Sequence, residues 1–253
     1  MSVRSVVARL LLILAVPVAY AQQPRIAPLS SSENLPNIGP LLQRVNALKS
    51  ELRDYHACTC KCGCYASDLN AQSDKAIALL RRRTAHPGAN QKPGAHQKLG
   101  ANQKLALVLD IDETALSNWA EIESANFEYN RDEFNAWIES GQAPAIAGTL
   151  RLYEEARKTN VAVFFLTGRP ESQRASTEAN LRLQGFGGWE SLIMRSQAQK
   201  GMTALAYKSA ERRKIVGAGY RIVLNVGDQW SDLNGKPQAE YSVKYPDPFY
   251  LVK

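Results

Sequence analysis

The stretch that most constrains this chain is residues 105–109, Leu-Ala-Leu-Val-Leu, which run directly into Asp110-Ile111-Asp112. A short, unbroken apolar run that includes a branched residue reads as a strand buried on both faces, the usual state of strands in a parallel sheet. The two carboxylates then stand at its carboxyl end, where open α/β sheets place their ligand crevice. Acids also cap the helix that follows a strand, because carboxylates are favourable at a helix N-terminus. Two acids one residue apart therefore fit either a cap or a catalytic pair.

The pattern repeats downstream. Residues 161–166 (Val-Ala-Val-Phe-Phe-Leu) and 220–226 (Tyr-Arg-Ile-Val-Leu-Asn-Val) predict strands, and residues 191–194 a weaker one. Helices are expected over about residues 148–158, 171–184 and 203–217. Strand and helix alternate, so the expected fold class is α/β, a Rossmann-like parallel sheet with right-handed crossovers.

The segment before residue 105 has a different character. Residues 1–21 place Arg4 and Arg9 before an apolar run, 10–16, and end in Ala19-Tyr20-Ala21, the pattern of a secretory signal cleaved after Ala21. The run is too short to span a bilayer, which needs about 20 residues. No Cys stands near the cleavage point, so a lipid anchor is not expected, and the location expected is periplasmic or secreted. Residues 22–40 read as a flexible lead-in. Leu41, Leu42, Val45, Leu48 and Leu52 follow helical spacing behind Pro40, and a second helix is expected over residues 67–83.

Between those helices lie Cys58, Cys60, Cys62 and Cys64, every cysteine of the chain. In an exported protein disulfides are the plainer expectation, with soft-metal binding the alternative, although bridges between neighbours two apart are strained. Residues 88–105 are three copies of a polar six-residue unit, Gly-Ala-(Asn/His)-Gln-Lys-(Pro/Leu), which buries nothing and reads as a linker. His56, His86 and His96 all fall in or beside these segments, leaving no histidine for residues 105–253.

The net charge of +7 is local. Lys75, Arg81, Arg82, Arg83, Lys92, Lys98 and Lys104 are seven cations without an intervening acid, so 7 − 7 leaves the remainder neutral. Cations on a linker, without interleaved aromatics, do not make a nucleic-acid module.

Polar clusters recur where the strands end. Phe165-Leu166 leads into Thr167-Gly168-Arg169-Pro170, whose hydroxyl and amides suit phosphate oxygens. Asn225-Val226 leads into Gly227-Asp228-Gln229-Trp230-Ser231-Asp232, and Lys208 lies on the intervening helix. Individually these read as a turn, another turn and a solvated lysine. Together they would converge at one edge of a parallel sheet.

In that order the residues resemble the four motifs of the haloacid dehalogenase (HAD) superfamily. Leu-Asp-Ile-Asp-Glu-Thr, Phe-Leu-Thr-Gly-Arg and Gly-Asp-Gln-Trp-Ser-Asp-Leu resemble its secreted acid phosphatase branch, the class B and plant vegetative storage protein-like phosphohydrolases with four motif aspartates. The resemblance implies Asp110 as the nucleophile that forms an aspartyl-phosphate, and Asp112 as the proton donor to the leaving alcohol. It implies that Asp112 is protonated when Asp110 is not. Thr167, Gly168 and Arg169 would bind the phosphoryl group, and Lys208 would offset its charge. Mg²⁺ is the implied cofactor, held by Asp110, the main-chain carbonyl of Asp112, Asp228 and, through water or by way of Lys208, Asp232.

Residues 105–253 are accordingly expected to form the phosphatase core, with a small helical cap over about residues 119–145 and an N-terminal helical extension over 41–87. Trp119, Phe127, Tyr129, Phe134 and Trp137 would either stack on an aryl or nucleobase leaving group or pack the cap itself. The expected activity is Mg²⁺-dependent hydrolysis of phosphate monoesters, nucleotide monophosphates or organic phosphates broadly. A phosphatase narrow for sugar phosphates, a non-catalytic storage or binding protein on the same fold, and a metal-sequestering role for the cysteine run are the alternatives. The expected partner is a small-molecule phosphate monoester, not a nucleic-acid polymer or a membrane; homo-oligomerisation is left open.

Overall fold

The computed structural model describes residues 39–58, 64–85 and 104–251. The expected signal peptide, the lead-in up to residue 38, Cys60 and Cys62, the hexapeptide repeat up to residue 103, His86 and His96 lie outside the described residues; the last two lead-in residues already belong to the first helix and the last two repeat residues to the first strand. The chain divides into two compact units at Leu48 and Lys49. Of the first, the described part is the opening of helix α1 (Gly39–Ala57), where Leu41, Leu42, Val45 and Leu48 are all exposed.

The second unit is built on a five-stranded, all-parallel sheet in the order β3-β2-β1-β4-β5. Its strands are β1 (Lys104–Leu109), β2 (Ala162–Pro170), β3 (Ser191–Arg195), β4 (Tyr220–Gly227) and β5 (Tyr241–Lys244). Helix α2 (Tyr65–Ala85) precedes β1, and α3 (Trp119–Ser124), α4 (Arg131–Ser140) and α5 (Ala147–Lys158) lie between β1 and β2. Helix α6 (Arg174–Leu183) follows β2, α7 (Ala204–Gly217) joins β3 to β4, and α8 (Trp230–Leu233) follows β4. The α/β class holds, and β5 is a strand that the sequence pattern did not reveal. The strand 161–166 continues through Thr167, Gly168 and Arg169, so those residues form the strand's own end. The helix expected over 171–184 opens with one 3₁₀ turn, Glu171–Gln173.

Alternation along β1 sorts its side chains onto two cores. Leu107 and Leu109 join the larger one, with Leu80 of α2, Leu152 and Tyr153 of α5, and Leu181 of α6. Ala106 and Val108 face the smaller one, with Tyr207 and Ile215 of α7. The chain runs outward from β1 to β2 and β3, then returns to place β4 on the other side of β1. That reversal is the topological switch point of the sheet, and it lies between β1 and β4.

The two-helix entry to the second unit is closed without a disulfide among the described residues. Cys58 continues α1 and Cys64 leads into α2, and their thiols are joined by a hydrogen bond. Nearby, the Tyr55 hydroxyl of α1 donates to Asp68 of α2 at 2.6 Å.

Helix α2 anchors the region behind the site. Buried Ser73 shares a hydrogen bond of 2.8 Å with the Tyr245 hydroxyl, which lies 3.3 Å from Thr149 Oγ1; Thr149 in turn donates to the Thr114 carbonyl at 2.5 Å. The helices approach closely here because Gly148 has no side chain: a Cβ at this position would stand 2.6 Å from Ser73 Cβ and closer still to its Oγ. Gly148→Ala is expected to destabilise the protein by about 1–3 kcal/mol through overpacking. Urea denaturation at fixed pH measures it, and a midpoint equal to that of the parent would contradict this packing.

Candidate active site

Three segments meet at the carboxyl edge of the sheet: the turn after β1, the end of β2 and the loop from β4 into α8. The Asp110 N–H donates to the Val226 carbonyl at 3.0 Å, extending the β1–β4 pairing by one residue. By strand parity Asp110 falls on the side of Ala106 and Val108, the side that α7 covers. There the Lys208 ammonium donates to Asp110 Oδ1 at 2.5 Å and to Asp232 Oδ1. Asp110, Asp228 and Asp232, all buried, each present a carboxylate oxygen within 4.8 Å of the other two.

The loop after β4 is held in shape by its own sequence. Gly227 allows Asp232 to fold back against it, since a Cβ there would lie 2.7 Å from Asp232 Cγ. The Gln229 N–H donates to Asp232 Oδ2 at 2.9 Å, and Asn225 Nδ2 donates to the Asp232 carbonyl at 2.8 Å. The fully buried Arg212 of α7 donates to the carbonyls of Asp232, Asn234 and Pro237. Asp228 accepts from the Thr114 hydroxyl at 3.1 Å and from Gln229 Nε2 at 2.8 Å, and the same amide reaches Asp247 at 2.7 Å.

Asp112 turns away from this cluster. Its Oδ1 accepts from Arg169 Nη2 at 2.6 Å, Arg169 Nε at 3.1 Å and Asn118 Nδ2 at 2.9 Å, while Oδ2 has only Arg169 Nε at 3.2 Å. Arg169 also donates to Thr177 Oγ1 at 3.2 Å. Thr167 is fully buried and its hydroxyl accepts the Arg169 N–H at 3.1 Å. Gly168 is exposed, with no atom within 4 Å of where a Cβ would stand, so its backbone is open to an approaching ligand. Asp110, Lys208, Asp228 and Asp232 thus form one cluster, Asp112 and Arg169 a pair beside it, and Thr167 and Gly168 the floor at the end of β2.

The two acids of the β1 turn sit in different electrostatic surroundings. Burial pushes the Asp110 carboxyl well above the usual carboxylate range, opposed by Lys208 and reinforced by Asp232, Asp228 and Asp112. Burial, with Asp232 and Asp247 nearby, pushes Asp228 up to about 8. Burial would raise Asp112 as well, but the Arg169 guanidinium outweighs it and the carboxyl lies below its ordinary value. In the metal-free protein the two carboxyls are thus shifted in opposite directions, each by its own neighbours. The sequence reading paired the two acids with each other, whereas each answers to a different neighbourhood.

Residues that the sequence reading left without a role also stand here. Glu113, fully buried with φ 51°, accepts from the Asn118 N–H and, at 3.3 Å, from the Tyr65 hydroxyl. Asp247 sits between Pro246 and Pro248 beyond the last strand and carried no motif signal. Of the aromatics between β1 and β2, Trp119 stacks on His56 at 3.7 Å and, with Phe127, packs around Phe249. Trp137 donates from Nε1 to Asn118 Oδ1 at 2.9 Å. Phe134 lies against Tyr129, which is exposed. Trp119 and Phe127 therefore serve packing.

A family profile described as HAD superfamily, subfamily IIIB (acid phosphatase), matches residues 34–253. Acid phosphatase 1 of Solanum lycopersicum is 43% identical over 148 residues, 57% of this chain and 58% of that one. The stem 31 kDa glycoprotein of Glycine max is 39% identical over 150 residues (58% and 59%), and vegetative storage protein 1 of Arabidopsis thaliana 32% over 152 (57% and 54%). The chain spans somewhat under two thirds of the length of these relatives. In fold it is similar to the class C acid phosphatase of Bacillus anthracis, with a TM-score of 0.60 and 19% identity over 82% of this chain and 87% of that one. With the profile covering all of the second unit, the chain belongs to the acid phosphatases of subfamily IIIB of the HAD superfamily.

Proposed function

We propose that the protein is a Mg²⁺-dependent acid phosphatase that hydrolyses phosphate monoesters through an aspartyl-phosphate on Asp110. The observation that carries this reading is the Asp110–Lys208–Asp232 bridge beside Asp228 at the switch point, with Asp112 held apart from it. A carboxylate used as a nucleophile needs an ammonium that can shift toward the transferring group, and Lys208 already touches Asp110.

A divalent cation fits the site on chemistry. The three converging carboxylates offer hard oxygen donors, and a single ammonium leaves them short of positive charge. Asp110 and Asp228 would hold the cation with the Asp112 carbonyl, while Asp232 reaches it directly or through its hold on Lys208. Bound there, it supplies positive charge that favours the ionised carboxylates and offsets the charge of a phosphate ester.

The chain's own residues account for the rest. Asp110 attacks phosphorus in line with the ester oxygen, and Lys208 neutralises charge that builds on the phosphoryl group. Thr167 and the backbone at Gly168 bind its oxygens at the end of β2. Asp112 protonates the departing alcohol, then takes a proton from the water that cleaves the aspartyl-phosphate. Arg169 holds the Asp112 carboxyl below its ordinary value; a phosphoryl group that shares Arg169 loosens that hold, and Asp112 then takes up from solvent the proton that it delivers. Substrates in this reading are small organic phosphates, nucleotide monophosphates among them, and the export pattern of residues 1–21 supports an activity in the periplasm or outside the cell.

Asp110→Asn is expected to lower phosphate release by about a thousandfold or more with the fold intact, and chelation of the metal to do the same. A phosphate-release screen over nucleotides, sugar phosphates and aryl phosphates, with and without Mg²⁺, tests this and separates a broad enzyme from a narrow one. Absence of turnover on every substrate by the parent protein would instead favour the storage role that some relatives' names carry.

The site also predicts how stability varies with pH. Asp110, Glu113, Asp228 and Asp247 all have raised values in the folded protein, so the metal-free native state keeps protons that the unfolded chain releases near pH 4. Stability from these groups is greatest at acid pH and declines as pH rises toward the Asp228 value of about 8. Asp112, with a lowered value, acts in the opposite sense and only below this window. The melting temperature of chelator-treated protein is expected to fall between about pH 5 and 8, and the gain on adding Mg²⁺ to grow over the same interval. A flat or rising metal-free curve would contradict the electrostatics assigned to the site.

A further inference from the structure

The hydrogen bonds around Asp112 continue into the cap. Trp137 on α4 donates from Nε1 to Asn118 Oδ1 at 2.9 Å, and Asn118 donates from Nδ2 to Asp112 Oδ1 at 2.9 Å. Asn118 is fully buried just ahead of α3, and its N–H is bound to Glu113. An indole N–H can only donate, so Trp137 dictates which end of the Asn118 amide it receives. The oxygen must face the indole, and the amino group must face Asp112. Were the amide to turn over, Asn118 Oδ1 would stand against a carboxylate oxygen and its amino group against an N–H, two repulsive contacts in a buried place.

The consequence lies in how the two oxygens of Asp112 differ. Oδ1 receives Asn118 and two Arg169 nitrogens, while Oδ2 receives only the longer contact from Arg169 Nε. An oxygen filled by donors is a poor place for a proton, so Oδ2 is the one left to carry it. We propose that Asn118, fixed by Trp137, is a positioning residue for proton delivery: it locks the Asp112 carboxyl so that Oδ2 faces the leaving group. The cap thereby aims the acid through a chain of two hydrogen bonds without touching the substrate. This inference rests on the phosphatase reading and on Asp112 as the proton donor.

Leaving groups that differ in their need for a proton give the test. An alkyl phosphate such as glycerol 2-phosphate requires protonation of the departing oxygen, whereas 2,4-dinitrophenyl phosphate releases a stable anion and does not. For Asn118→Ala and Trp137→Phe, kcat/KM on the alkyl ester is expected to fall about tenfold or more, with a change of about twofold or less on the dinitrophenyl ester. Trp137→Phe keeps a large ring in place and removes only the donor, so it carries the test should Asn118→Ala fail to fold; melting curves identify that case. Equal losses on both esters, or no loss on either, would overturn the inference. Asp112→Asn serves as the reference: if its kcat/KM, which reads the transfer to Asp110 and not the later hydrolysis, falls equally on both esters, the proton-donor assignment itself falls, a result distinct from a failure at Asn118 alone.

Discussion

Three buried carboxylates, Asp110, Asp228 and Asp232, converge beside one ammonium that bridges only Asp110 and Asp232, and the surrounding structure is arranged to tolerate that shortage of positive charge. Buried acids without enough partners become protonated or force a fold apart, and this site answers with donors from several elements. Thr114 and Gln229 cover Asp228, Gln229 N–H covers Asp232, and Gly227 gives Asp232 room to fold back on the strand. Arg212 contributes from behind: its guanidinium takes up the loop's carbonyl oxygens rather than a carboxylate. It fixes the shape of the acid-bearing loop while leaving the acids' own charge unneutralised. That leaves the cluster complete in geometry and incomplete in charge, a state suited to a divalent cation and an anionic ester arriving together.

The same constraint explains the character of α7. A helix covering a sheet ordinarily buries an apolar stripe. Here Lys208, Ser209, Glu211 and Arg212 are buried alongside Ala204, Tyr207 and Ile215. Half of the inward face holds the site together and half packs the smaller core, so neither task yields a clean hydrophobic pattern. Asp110 meets this helix because strand parity sends it to the same side as Ala106 and Val108.

Much of this was legible in the sequence because strands buried on both faces announce themselves as apolar runs. Residues 105–109 and 220–226 mark β1 and β4, and their ends locate Asp110 and Asp228 at adjoining positions without reference to any contact. Lys208 was legible only through the order of motifs, since a lysine on a helix with no apolar stripe resembles a solvated one. Strand β5, at the sheet edge, is four residues long and half-buried, too little for a periodic signal. Asp247 and Asn118 were illegible for a different reason: their significance lies in hydrogen bonds to residues 19 positions away or fewer, formed across loops whose path no periodicity encodes. The surroundings of the two acids were illegible because Arg169 and the Asp228–Asp232 loop are distant in sequence from them.

Those distant partners bear on how two acids one residue apart come to differ. Repulsion between neighbours can separate two pKa values, but it does not decide which acid keeps the proton. The decision belongs to what each side chain faces, and β1 ends at Leu109, so strict alternation no longer governs Asp112. Past Ile111 the chain turns through Glu113 in the left-handed region, and Asp112 is delivered to Arg169 and Asn118 instead of to Lys208. Glu113 is held in that strained conformation by a fully buried side chain bound to the Asn118 N–H. The residue between the motif's second acid and its threonine thus acts on the backbone: by fixing the turn, it sends one carboxylate to Lys208 and the other to Arg169 and Asn118.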